Sequence, residues 1–86
     1  MLLEEKDFYT IQELFEALPI AIAELARKSG INEVTLARIR DGKPTRLSTR
    51  NKLLIALSQV YERQFTPKNV TGIHVQGHER KEEIAA

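Results

Sequence analysis

Apolar residues recur at helical spacing in four successive stretches of the chain. Ile11, Leu14, Phe15 and Leu18 share one face of a helix expected over about 11–18. Thr10 followed by Glu13 is the pattern of a capping box, in which side chain and backbone at the helix start satisfy each other. Pro19 ends that helix or begins the next element. Ala23, Leu25 and Ala26 give the inner stripe of a second helix over about 21–29. Leu36 and Ile39 give that of a third over about 33–40. A longer stripe, Leu53, Leu54, Leu57, Val60 and Tyr61, predicts a fourth helix that starts after Ser48 and runs to about 63. Ala56 permits close approach on it.

The polar and special residues punctuate this pattern. Gly30 stands where the second helix must stop, because glycine takes the left-handed backbone without a Cβ clash. Asn32 follows as an N-cap for the third helix. Asp41-Gly42 is a turn signal, and Lys43 to Leu47 reads as a loop. A short fifth helix is expected from Thr66, with Thr66 as cap, Pro67 in the first helical position and Phe65 stapled against Val70. Ile73-His74-Val75 alternates like a strand, and the polar 77–86 reads as a disordered tail. The expectation is an all-α protein: one compact bundle of four to five short helices over 1–76, followed by that tail.

Residues 23–43, AELARKSGINEVTLARIRDGK, thus read as helix, tight turn, helix. Ala23, Leu25, Ala26, Ile31, Leu36 and Ile39 are the small and branched residues that let two short helices cross closely. This is the geometry of a helix-turn-helix, whose second helix is held out toward a major groove. Charge supports that reading only once its distribution is seen. The whole chain is +1. Its first 26 residues set Lys6 against six carboxylates, whereas residues 27–52 set eight cations against Glu33 and Asp41. A basic segment over the third helix and its following loop is the electrostatic footprint expected for a phosphate backbone.

Other chemistry is thinly represented. With no cysteine in the chain, thiol catalysis, disulfides and thiolate metal sites are excluded. His74 and His78 are four residues apart, but Gly77 lies between them and no third ligand is evident, so no metal and no cofactor are expected. Ser29 and Ser48 have no neighbouring histidine to activate them, and no glycine-rich phosphate loop is present, so no enzyme is expected. The acidic start lacks the pattern of a signal peptide, and the apolar run from Leu18 to Ala23 is too short for a bilayer. A soluble, cytoplasmic protein is the expectation. A chain of 86 residues buries roughly 60–65% of its unfolded surface, so its stability margin is small and dimerisation would help.

The segments ELARKSGIN at 24–32, LARIRDGK at 36–43 and LLIAL at 53–57 resemble, in order and spacing, the lambda-repressor-like, Cro-type helix-turn-helix family. The resemblance covers about residues 11–58. It implies a helical bundle that binds operator DNA as a homodimer and regulates transcription, most simply as a repressor. By this resemblance Glu33, Val34 and Arg38 take the base-reading positions, with Thr35 and Ala37 close by. Arg38 suits guanine O6 and N7, Glu33 a cytosine amino group, and Val34 a thymine methyl. Asn32, Lys43, Thr45, Arg46, Ser48 and Arg50 take the phosphate-binding positions.

The chain departs from the family pattern in three places. Ile22 stands where the second helix often begins with a phosphate-binding Gln. Phe15 and Arg40 stand where the family often has an Arg–Glu pair, and Pro19-Ile20-Ala21 offers no side-chain cap. The changes leave an apolar patch of Phe15, Leu18 and Ile22. Either it packs on the N-terminal arm through Phe8 or Tyr9, or it contacts a protein partner. Two alternatives to a regulator follow: an antitoxin-like interaction module using this patch or the charged tail, and a DNA-binding subunit of a phage or transposon system. The dimer surface falls by default to the fifth helix with residues 70–76.

Overall fold

A computed structural model describes residues 5–76. The elements run β1 (Tyr9–Thr10), α1 (Ile11–Glu16), α2 (Ile22–Ser29), α3 (Glu33–Arg40), α4 (Leu47–Tyr61) and β2 (Val70–Thr71). Four helices decide the class, and they form a small helical bundle. α2 packs against both α3 and α4, and α1 lies against α3. Leu14, Leu25, Leu36, Ile39, Leu53 and Leu57 are almost wholly buried between them. At about 25 cal/mol per Å² of apolar surface removed from water, this cluster is the main source of stability.

The helix ends follow from local chemistry. At Thr10 the capping box is complete: the Glu13 N–H donates to Thr10 Oγ1 at 3.1 Å, and the Thr10 N–H donates to Glu13 Oε1 at 3.4 Å. α1 stops at Glu16, shorter than the apolar spacing predicts, because Leu18 precedes Pro19 and such a residue is pushed out of the helical region. α2 starts at Ile22 without a side-chain cap. It ends at Gly30, whose φ of 75° is left-handed and whose N–H donates to the Ala26 carbonyl at 2.9 Å. Ser29 is buried there, and its Oγ accepts from the Ile31 N–H at 3.2 Å. Asn32 then caps α3, its Oδ1 accepting from the Thr35 N–H at 2.8 Å. α4 begins at Leu47, one residue before the expected Ser48 cap, and ends at Tyr61.

The expected fifth helix does not form. Residues 66–69 close one turn, with the Asn69 and Val70 N–H groups both donating to the Thr66 carbonyl at 3.1 Å. Asn69 locks that turn from both sides: its Oδ1 accepts from the Thr66 N–H at 2.8 Å and its Nδ2 donates to the Gln64 carbonyl at 3.0 Å. The chain then extends. β2 pairs in parallel with β1, Tyr9 opposite Val70 and Thr10 opposite Thr71. Two β-branched residues in succession favour that pairing over another helical turn. Phe65 and Val70 do meet the core, but as loop and strand residues.

Tyr9 anchors this end of the molecule. It is 4% exposed, and its ring meets Phe65 edge-on at 5.4 Å. Arg63 Nη1 donates to its hydroxyl at 2.6 Å. Tyr61 also meets Phe65 edge-on, at 5.7 Å, and donates its hydroxyl proton to the Leu14 carbonyl. Burial pushes the Tyr61 pKa up.

Candidate nucleic-acid interface

The short turn Gly30–Asn32 holds α3 against α2, and burial of Leu36 and Ile39 fixes which side of α3 faces inward. At 100° per residue, Val34 and Arg38 fall one turn apart on the side opposite those two. Val34 is 70% exposed, and Arg38 and Glu33 are exposed with it. Thr35 and Ala37, on the flanks, are half-buried. An apolar side chain held out beside an arginine on a short helix cannot be explained by the core, which it does not touch.

The next segment is tied to the same helix. The Lys43 N–H donates to the Arg38 carbonyl at 2.9 Å, and the Gly42 N–H to that of Ile39 at 3.0 Å. Lys43, Arg46 and Ser48 are exposed and Arg50 is half-buried. Arg50 donates to Asn51 Oδ1 through Nε at 3.3 Å and Nη2 at 3.1 Å, so part of its guanidinium is already engaged. Asn32 spends Oδ1 on the α3 cap, which leaves its amide NH2 for an outside acceptor.

Thr45 departs from expectation. It is only 6% exposed, so its hydroxyl does not stand on the open surface with Lys43 and Arg46. Its backbone explains why: the Thr45 N–H donates to the His74 carbonyl at 2.8 Å, and its carbonyl accepts from the Gln76 N–H at 2.7 Å. This bridge, Thr45 paired with Val75, straps the C-terminal segment across the loop. Thr45 therefore positions its neighbours rather than donating to a ligand. The same strap brings Gln76 beside Arg46, Leu47 and Ser48, around a cleft of about 300 Å³. Nothing local in the sequence singles out Gln76, since its partner Thr45 lies thirty-one residues earlier.

Electrostatics add to the geometry at the start of α4. Its first turn holds no acidic residue, and no side chain caps it. The unpaired N–H groups and the positive end of the helix dipole thus lie among Arg46, Ser48 and Arg50, an arrangement that favours an anion. Arg27 and Lys28 are exposed in the last turn of α2.

The apolar patch is also present, in a form the sequence did not give. Phe15, Leu18, Ile20 and Ile22 line a groove of about 450 Å³ with Gln12, Glu16 and Arg40. Among the described residues of the arm, neither of the two expected to cover it does so: Tyr9 is buried against Phe65, and Phe8 stays 65% exposed. The surface expected for a dimer fares differently. Its fifth helix is absent, and Val70–Thr71 is consumed by pairing with β1. His78 and the tail 77–86 lie outside the described residues.

No family model matches the chain, and neither curated proteins nor solved structures give a match. Among the described residues, no helix is long and apolar enough to cross a membrane.

Proposed function

We propose that the chain is a sequence-specific DNA-binding regulator, a repressor in its simplest form, with α2 and α3 acting as a helix-turn-helix. The carrying observation is the outer side of α3. Val34 and Arg38 stand opposite the fully buried Leu36 and Ile39, and the chain leads directly from them into Lys43, Arg46 and the uncapped start of α4. In this reading Arg38 grips a guanine, Glu33 accepts from a cytosine amino group and Val34 meets a thymine methyl. Lys43, Arg46, Ser48 and Arg50, with the α4 N–H groups, hold phosphates and set the register. No bond is made or broken. Occupancy of the site blocks or recruits polymerase, and a homodimer reads two half-sites about 34 Å apart.

Selection of binders from random duplex DNA tests the reading. It should yield one enriched motif. On that motif, Arg38→Ala should cost about 1–3 kcal/mol and relax preference at one base pair, whereas Arg46→Ala should weaken all sequences alike and lower the salt slope by about one. Absence of enrichment, or unchanged binding in both variants, would remove the proposal.

A second reading is favoured by the groove under Phe15 and Ile22: an interaction module, antitoxin-like, that engages another protein. Co-purification of a stable stoichiometric partner, lost on Phe15→Asp, would favour it.

A further inference from the structure

The groove beside α1 has an apolar floor and two charges on its rim, Arg40 and Glu16. Its four apolar side chains are packed on the core from one side and left half-buried on the other. The rim charges are not paired with each other. Arg40 contacts Asp41 through Nε at 3.3 Å, at an exposed position. Glu16 is the last residue of α1, at the negative end of the helix, with no basic residue in that turn. The helix dipole disfavours a carboxylate there.

The charges are also offset along the groove. The Gln12 side-chain amide donates to the Arg40 backbone carbonyl at 3.1 Å, which anchors the backbone of Arg40 beside Gln12, while its guanidinium contacts Asp41. Glu16 lies one helical turn further along α1, about 5–6 Å on. The residue that carries the cation is therefore anchored at the start of α1 and the one that carries the anion lies at its end.

We infer that the occupant of this groove is a second copy of the same chain, with the two α1 helices antiparallel about a twofold axis. Reversal sets Arg40 of each copy against Glu16 of the other and closes the two apolar floors on each other. A twofold contact must be self-complementary, and one cation and one anion offset along an apolar strip satisfy that requirement. The contact is small beside the 20–30 residues a side of a standard interface, so the dimer is weak and concentration-dependent. This inference supplies a surface for the homodimer of the DNA-binding reading, but it is tested on protein alone, so the two can fail separately.

Sedimentation equilibrium of the full chain, from micromolar to millimolar concentration, provides the test. Wild type should show a monomer–dimer equilibrium. Glu16→Arg and Arg40→Glu should each weaken it by about tenfold or more, with the helical circular dichroism spectrum retained. Mixing those two variants should restore association, because every rim contact in the mixed dimer again pairs opposite charges. A wild type that stays monomeric throughout would overturn the inference. So would single reversals that associate normally, or a mixture no tighter than its components.

Discussion

Two glycines show how residue-level chemistry shapes the site. Gly30 and Gly72 both have left-handed backbone, at φ 75° and 94°. A Cβ at Gly30 would meet open space, so Gly30→Ala should cost only the backbone penalty of about 1–2 kcal/mol. At Gly72 it would lie 3.0 Å from Gln12 Oε1 and 3.1 Å from Ile11 Cγ2. Gly72→Ala should therefore add about 1–3 kcal/mol of overpacking. Urea denaturation of the two variants checks the difference, and equal losses of stability would contradict the close approach of Gly72 to α1. Glu13 gives a second residue-level expectation. Two hydrogen bonds from Lys6 Nζ, at 2.8 and 2.9 Å, hold its carboxyl below the usual range. A carboxyl depressed in the folded state stabilises it above the unfolded pKa, and that contribution fades as pH falls through the folded value. Lys6→Gln should move the Glu13 titration, followed by NMR, toward higher pH and flatten this acid dependence.

At the scale of elements, the helices were legible and the long-range pairings were not. α3 was readable at both ends because Asn32 and Asp41 act locally, within a turn of the residues they cap. The α1 start was readable for the same reason. The fifth helix was misread because Thr66, Pro67 and Val70 carry real helix-start chemistry, yet the chain at 70–71 is claimed by Tyr9 and Thr10, sixty-one residues earlier. The strap on Thr45 was invisible on the same grounds. It carries a prediction of its own. Gln76→Pro removes the N–H that donates to the Thr45 carbonyl. Hydrogen exchange at Thr45 should accelerate while the core amides of α2 and α4 keep their protection. Binding to the selected duplex should weaken with no change in base preference, because only the loop that carries Lys43 and Arg46 is loosened. Unchanged exchange at Thr45 would show that the bridge does not hold the loop.

Over the whole molecule, charges of opposite sign are segregated along the chain. Acidic residues dominate the first 26 positions, and cations collect from Arg27 to Lys52. Most of the candidate interface was readable in the sequence because Leu36 and Ile39 mark the inward side of α3, which leaves Glu33, Val34 and Arg38 on its outer side. Thr45 was misassigned because its burial is imposed from outside its own segment. Coverage of the groove was equally illegible, since nothing near Phe8 or Tyr9 reveals that Tyr9 turns inward to Phe65. The central claim is that the outer side of α3 and the loop after it meet DNA together. Amide and arginine side-chain NMR shifts during titration with the selected duplex test it most directly. The largest changes should fall at Glu33, Val34, Arg38, Lys43 and Arg46. Changes centred on α1 and the groove, with α3 silent, would contradict it.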